Sequence, residues 1–213
     1  MESTMDVPTT LPEKLYLLAY NPERERLNIL NLDLVLQAAA LVELLRRGLI
    51  RDDGRHPAAV DGAAADGLDP LSAALLEQIR QGRRRSWKSW IGRQSMAARV
   101  VRDGLAAAGR IRVEERRVLG IFPCARVTLR EPRVRKALAA SVTSALSAPL
   151  TAVPPADAAL VALIDAARMG SALTWRQRRE FRTRIDKLAP AAGPVPRALR
   201  RAINAQMADG GAG

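Results

Sequence analysis

Two helical stretches of this chain end in the same way, and this repeated ending constrains the fold more than any other feature. The first reads LVELLRRGLI over residues 41–50, and the second reads VRDGLAAAGRI over residues 101–111. In both, a glycine stops an apolar helix and a short extended segment follows at once. The second continues into a predicted β-hairpin, with strands over 111–118 and 121–129 and Gly120 near its bend. The pattern predicts a mainly α protein with a few short strands.

Helical periodicity predicts one domain over residues 10–207, between a disordered N-terminus over 1–9 and a flexible, glycine-rich tail over 208–213. Asp69 followed by Pro70 gives a clear helix start, because a proline in the first turn loses no hydrogen bond there. A short strand is expected at 49–51 and a loop over 57–68. Predicted helices cover residues 12–20, 33–47, 70–81, 86–108 (bent near Gly92), 132–147, 156–168, 174–188 and 195–207.

The charge of the chain favours anionic partners. There are 34 Lys and Arg residues against 22 Asp and Glu residues, so the net charge is +12 at pH 7, and most of the positive charge is arginine. Such an excess predicts attraction to a membrane surface, a nucleic acid or an acidic protein. Richness in arginine and alanine is also common in proteins from GC-rich bacterial genomes.

Residues that usually carry catalysis or bind metals are scarce. Cys124 and His56 are the single cysteine and histidine, so neither a disulfide nor a metal cluster is expected. Glu43, on a mostly apolar helix, either hydrogen-bonds a helix end or is an acid of raised pKa. No apolar run reaches the roughly 20 residues that cross a bilayer, and the N-terminus lacks the pattern of a signal peptide. We therefore expect a non-catalytic, cytoplasmic protein that uses no cofactor and no metal.

Four segments, taken in order, resemble the Golgi phosphoprotein 3 family: residues 11–20, 41–50, 101–111 and 113–123. Their order and separation match the family over residues 10–207, and the chain is most similar to its bacterial branch. The resemblance implies a compact helical bundle ringed by amphipathic helices, with one protruding β-hairpin. Eukaryotic members of the family are peripheral membrane proteins that bind a phosphoinositide headgroup.

The resemblance also locates a headgroup pocket. Eukaryotic members hold the headgroup with a tryptophan and three basic residues, and the equivalent positions here are Asn28, Gln37, Ser95 and Ala98. None of these side chains offers the charge-assisted hydrogen bonds that a phosphate monoester prefers. We therefore expect phosphoinositide selectivity to be lost. Nearby arginines are the candidate replacements for binding an anion: Arg24, Arg26, Arg93 and Arg99.

Apolar residues at two places are candidates for membrane or subunit contact. The hairpin tip carries Leu119, Ile121 and Phe122, and an apolar tip needs a bilayer, a sister subunit or the body of the domain as its partner. Trp87 follows a run of arginines and is expected to be exposed, because tryptophan favours the membrane interface. Trp90 is expected in the core.

These observations predict a non-catalytic adaptor that binds anionic phospholipid headgroups peripherally at the inner face of the membrane. The hairpin would insert into the bilayer or join two copies into a homo-oligomer, and no protein partner is indicated. One alternative is a small-molecule ligand or substrate in the pocket equivalent to the headgroup site. Another is nucleic-acid binding through the basic helices over 174–188 and 195–207, which no recognised nucleic-acid-binding signature supports.

Overall fold

The fold comes from a computed structural model. It describes residues 8–22, 26–27, 30–63, 65–82, 84–93, 95–118 and 122–210, with the backbone alone described at 115–118, 122–125 and 210. These residues form ten α-helices and three antiparallel strand pairs. The prediction of a mainly α protein is confirmed.

Helices and strands are numbered separately in chain order. The helices are α1 (Leu11–Ala19), α2 (Leu32–Arg46), α3 (Pro70–Gln81), α4 (Trp87–Ile91), α5 (Ala97–Ala107), α6 (Pro132–Ser147), α7 (Pro155–Ala166), α8 (Trp175–Glu180), α9 (Arg182–Leu188) and α10 (Val195–Gly210). The strand pairs are β1 (Tyr20–Asn21) with β2 (Arg26–Leu27), β3 (Ile50–Asp52) with β4 (Pro57–Ala59), and β5 (Ile111–Val118) with β6 (Phe122–Leu129). Short 3-10 helices cover Leu150–Ala152 and Ala189–Ala192.

Helix α2 lies at the centre of the bundle because its sequence is apolar on nearly every side. All of its residues from Leu34 to Leu44 are buried, and α1, α3, α5, α7 and α10 pack against it. A helix that is apolar all round belongs in the core of a protein. Helix α7 is apolar in the same way, whereas α3, α5 and α10 present polar residues to solvent on one side and surround the centre.

The two glycine-stopped helices, α2 and α5, end in the same motif. Gly48 and Gly109 both have a φ of 69°, a left-handed conformation that glycine adopts without steric cost. In each case the N–H after the glycine donates to the carbonyl five positions earlier, at 2.9 Å. This bond defines the Schellman ending of a helix. It turns the chain directly into β3 in the first case and β5 in the second.

Two long helices predicted from the sequence are each divided in the structure. The region 86–108 forms α4 and α5 instead of one bent helix, and Gly92 closes α4. The region 174–188 divides at Phe181, whose φ of −97° and ψ of 19° depart from helical values. In the first region both halves carry buried apolar residues, so the apolar pattern alone does not reveal the division.

Two other boundaries also differ from the prediction. Residues 57–59 of the predicted loop form β4, which pairs with β3 across the turn at 53–56. Helix α10 continues to Gly210, into the predicted tail. Residues 1–7 and 211–213 lie outside the described part of the chain.

The β5–β6 hairpin is paired from Ile111 opposite Leu129 to Val118 opposite Phe122. Its base is anchored in the bundle, because Ile111 and Val127 are buried and β5 packs against α5. The tip, with Leu119 and Ile121, lies outside the described residues.

Candidate anion-binding site

The three described positions equivalent to the headgroup site lie where α2 meets the start of α5. Ser95 precedes α5, and its Oγ is buried with no hydrogen-bond partner in the described structure. The N–H of Ala98 donates to Asp33 Oδ1 at 2.9 Å, which fixes the start of α5 against the first turn of α2. Gln37, one turn further along α2, is 4% exposed, and its Oε1 also lacks a partner among these residues. Asn28 lies outside the described residues.

A surface pocket of about 700 Å³ opens beside Ser95. Its walls come from the start of α2, from α4 and the segment after it, and from the C-terminal half of α10. We call it the serine pocket, because Ser86, Ser89 and Ser95 line it. Neither Gln37 nor Ala98 lines it. Of the positions equivalent to the headgroup site, the structure therefore places Ser95 on the wall of a cavity.

The cations of the serine pocket come from α4 and the residues just after it. Arg93, a candidate from the sequence, lines the pocket, and its guanidinium carbon lies 5.4 Å from the centre of the Trp90 ring. Lys88 is the second cation on the wall, which also carries the carboxylates of Asp33 and Asp209. Because Asp33 already accepts the Ala98 N–H, part of its charge is engaged at the start of α5.

Lys88 was not among the residues expected in a pocket, although the sequence contains a signal for it. Trp87 and Trp90 are three residues apart and therefore face the same side of a helix. If both face the core, Lys88 and Ser89 between them must face outward. The expectation that Trp87 is exposed concealed this signal.

That expectation about Trp87 is wrong. Trp87 is 5% exposed, and its Nε1 donates to Asp52 Oδ1 at 3.0 Å, so the ring joins α4 to the end of β3. Trp90, at 2%, is in the core as predicted. The exposed indole belongs instead to Trp175 at the start of α8, which is 73% exposed and has the guanidinium of Arg179 5.7 Å from its ring centre.

Of the other three arginines proposed from the sequence, the two that the structure describes do not line the serine pocket. Arg99 is exposed and pairs with Asp103 at 3.8 Å along α5, while Arg26 is exposed on β2. Arg24 lies outside the described residues. Of the three candidate arginines that the structure describes, it therefore brings Arg93 to the pocket.

Glu43 has the structural role that was one of its two interpretations. Its carboxylate is 2% exposed and accepts the N–H of Leu11, the first residue of α1, at 3.2 Å. The Nε of Arg47 donates to the other oxygen at 2.7 Å. Glu43 therefore supplies the hydrogen bond that the N-terminus of α1 lacks, since the Thr10 side chain makes no capping bond.

Two arginines of the basic segment over 174–188 are used inside the fold. Arg178 donates to the carbonyls of Asp165 (2.9 Å) and Leu173 (3.1 Å), and burial lowers its pKa. Arg184 donates to the carbonyls of Ala145 and Ala148 at the end of α6. Both guanidinium groups therefore hydrogen-bond backbone carbonyls near helix ends, so they are not available to a membrane or nucleic acid.

The hairpin-tip candidates stay untested by the structure. Leu119 and Ile121 lie outside the described residues, and for Phe122 the backbone alone is described, paired with Val118. The same holds for Cys124 on β6.

His56 Nδ1 lies 3.5 Å from Asp53 Oδ1 in the β3–β4 turn. No group of three or more metal-binding side chains occurs among the described residues.

Comparison with known families identifies the fold. A family model described as Golgi phosphoprotein 3 (GPP34) matches residues 11–206. The chain belongs to the Golgi phosphoprotein 3 family. Comparison with curated proteins gives no match. Within the part of this family member that the structure describes, no helix has the length and hydropathy needed to cross a bilayer.

Proposed function

We propose that this Golgi phosphoprotein 3 family member is a non-catalytic adaptor that binds anionic phospholipid headgroups at the inner face of the membrane. The observation that carries the proposal is the serine pocket. In a chain whose four motif positions carry no charge, a cavity still opens at one of them, and Lys88 on α4 and Arg93 in the segment between α4 and α5 line it.

The chemistry of the pocket suits a phosphate bound to a small polyol. A guanidinium and an ammonium give charge-assisted hydrogen bonds to phosphate oxygens. The hydroxyls of Ser86 and Ser89, which are exposed on the same wall, offer hydrogen bonds to a glycerol or sugar oxygen. Because the family's arginine and tryptophan positions are not kept, we propose binding to anionic lipids in general, without selectivity for phosphoinositides.

The hairpin tip would add apolar contact with the bilayer or join two copies. Replacing Leu119, Ile121 and Phe122 by serine should weaken vesicle binding in the first case and dissociate a dimer in the second. Vesicle binding and light scattering of the same variant separate these outcomes.

A second candidate function is a small-molecule site in the same pocket. The volume of about 700 Å³ favours it, because pockets for small ligands usually measure about 300–1,000 Å³. A soluble glycerophosphate that binds equally well with and without vesicles would support this alternative.

The test is co-sedimentation with vesicles that are neutral, anionic with phosphatidylglycerol, or anionic with phosphatidylinositol 4-phosphate. We expect binding to both anionic types and loss of binding at high salt. Each basic residue near an anionic bilayer contributes on the order of 1 kcal/mol. The double variant Lys88→Gln/Arg93→Gln should therefore bind about 30-fold more weakly.

A matched control is Arg133→Gln/Lys136→Gln, which removes the same charge from exposed positions of α6 outside the pocket. If both double variants weaken binding equally, net charge and not the pocket accounts for it. Absence of binding to anionic vesicles at low salt would overturn the proposed function.

A further inference from the structure

A second groove, of about 930 Å³, lies on the other side of α4. Its walls are the β3–β4 turn, the first residues of α4 and the start of α10. We call it the proline groove, because Pro190, Pro194 and Pro196 line it together with the indole of Trp87. Nothing in the sequence pattern pointed to it, since the prolines lie more than 100 residues after Trp87 in the chain.

The rim of the proline groove is basic. Four cationic side chains line it: Arg55, Lys88, Arg197 and Arg201. All four are exposed, and within the described structure no hydrogen bond or ion pair engages them. Arg197 and Arg201 are four residues apart on α10 and therefore lie side by side.

Two carboxylates also line the groove, and one of them is already engaged. Asp52 Oδ1 accepts the Trp87 Nε1–H at 3.0 Å and the Gly54 N–H at 3.1 Å. The other, Asp186, is exposed on α9. The cations therefore exceed the carboxylates by two, whereas the serine pocket has two cations and two carboxylates.

The proline groove and the serine pocket adjoin each other. Ser86 and Lys88 line both of them, so the Lys88 ammonium is accessible to ligands on either side. Ser86 Oγ accepts the Ser89 N–H at 3.2 Å as the cap of α4. A hydroxyl group that accepts one bond can still donate its own proton, so Ser86 can donate to a ligand oxygen between the two cavities.

We propose that the two cavities together bind a phospholipid that carries two phosphate groups joined by a short polyol, as cardiolipin does. One phosphate binds Lys88 and Arg93 in the serine pocket, and the other binds the α10 arginines in the proline groove. The linking polyol lies over Ser86. This inference rests on the proposed function and names the lipid class for it. Charge complementarity supports it, because basic pockets bind such headgroups and a bidentate arginine suits phosphate oxygens.

The experiment compares two kinds of vesicle with equal surface charge. Neutral vesicles are doped with phosphatidylglycerol, or with cardiolipin at half that molar fraction, so that the number of negative charges is the same. We expect the wild-type protein to bind the cardiolipin vesicles about tenfold more tightly, because two linked phosphates are bound without a second loss of translational freedom.

Two double variants test whether the proline groove causes the preference for cardiolipin vesicles. Arg197→Gln/Arg201→Gln should remove the tenfold preference, so that this variant binds the phosphatidylglycerol and the cardiolipin vesicles with equal affinity. Arg133→Gln/Lys136→Gln, with the same loss of charge on α6, should keep the preference. Circular dichroism melting of each variant verifies that it is folded, as expected for exposed side chains.

The outcomes separate this inference from the proposed function. Equal binding to both anionic vesicles overturns the two-phosphate site and leaves the adaptor function standing, while binding to neither overturns both. A preference that survives in Arg197→Gln/Arg201→Gln also overturns the site. Tight, salt-dependent binding to nucleic acid without preference between the vesicles would assign the basic rim to that partner instead.

Discussion

Replacing Glu43 tests whether a single buried carboxylate joins the first two helices. Glu43→Ala removes the acceptor of the Leu11 N–H, which is then buried without a partner in a residue that is 1% exposed. Such an unpaired group costs about 1–3 kcal/mol. Arg47 loses its carboxylate as well, but it keeps a bond to the Asp66 carbonyl at 3.2 Å, and its side chain is 29% exposed. That second loss should therefore add only about 1 kcal/mol.

The expected total for Glu43→Ala is about 3 kcal/mol. For a chain of this length, 1 kcal/mol corresponds to about 2–4 °C in Tm, so the variant should melt about 6–12 °C lower. Glu43→Gln should cost less, about 1–2 kcal/mol, because its amide oxygen can still accept the Leu11 N–H while its NH₂ group cannot pair with Arg47. Urea unfolding followed by far-ultraviolet circular dichroism measures both free energies.

The control is Glu77→Ala on α3. Glu77 is exposed and accepts a hydrogen bond from Gln81, so its loss should cost less than about 0.5 kcal/mol. If Glu43→Ala costs no more than Glu77→Ala, the reasoning about the buried carboxylate is refuted. A Glu43→Gln variant with unchanged stability and an altered ligand affinity would favour the other interpretation of the sequence, in which Glu43 acts as an acid.

Three more predictions concern other parts of the chain. Arg184→Ala should cost about 2 kcal/mol in urea unfolding, because its bonds to the carbonyls at the end of α6, including that of Ala145, are lost; a loss below about 0.5 kcal/mol would contradict this. Trp175→Phe should remove the iodide-quenchable tryptophan emission, because the other two indoles are at most 5% exposed; persistent quenching would show that one of them is accessible. Burial raises the pKa of Glu13 above 4.5, against the opposing hydrogen bond from Thr10. Stability should therefore fall as pH rises through that raised pKa, and Glu13→Gln should flatten this part of the pH–stability curve; an unchanged slope would contradict the assignment.

The helix ends were the most predictable part of the fold, because they depend on local chemistry. Asp69 accepts the Ser72 N–H at 3.0 Å as the expected cap of α3, and Pro132 begins α6 at the predicted residue. Gly48 and Gly109 close their helices as the sequence predicted, and both adopt a left-handed conformation. Each of these signals lies within a few residues of the structure that it determines.

The site was less predictable, because long-range packing forms it. The motif positions were located by resemblance, yet among those that the structure describes only Ser95 lines the pocket. Lys88 became a pocket residue because Trp87 turned inward to meet Asp52, 35 residues earlier in the chain. The three-residue spacing from Trp90 was a local signal for this orientation, but the bond to Asp52 that holds the Trp87 ring joins distant parts of the chain.

The sequence by itself determined the class of the fold, the family and most helix boundaries. Apolar spacing, proline and glycine act over one or two turns and keep their meaning in any context. Only the tertiary structure decided which cations meet. Arg93 on one side of α4 and Arg197 on the other become parts of adjoining cavities because α10 packs against α4. Charge is a property of each residue, whereas a binding site depends on distances in space, which the folded core sets.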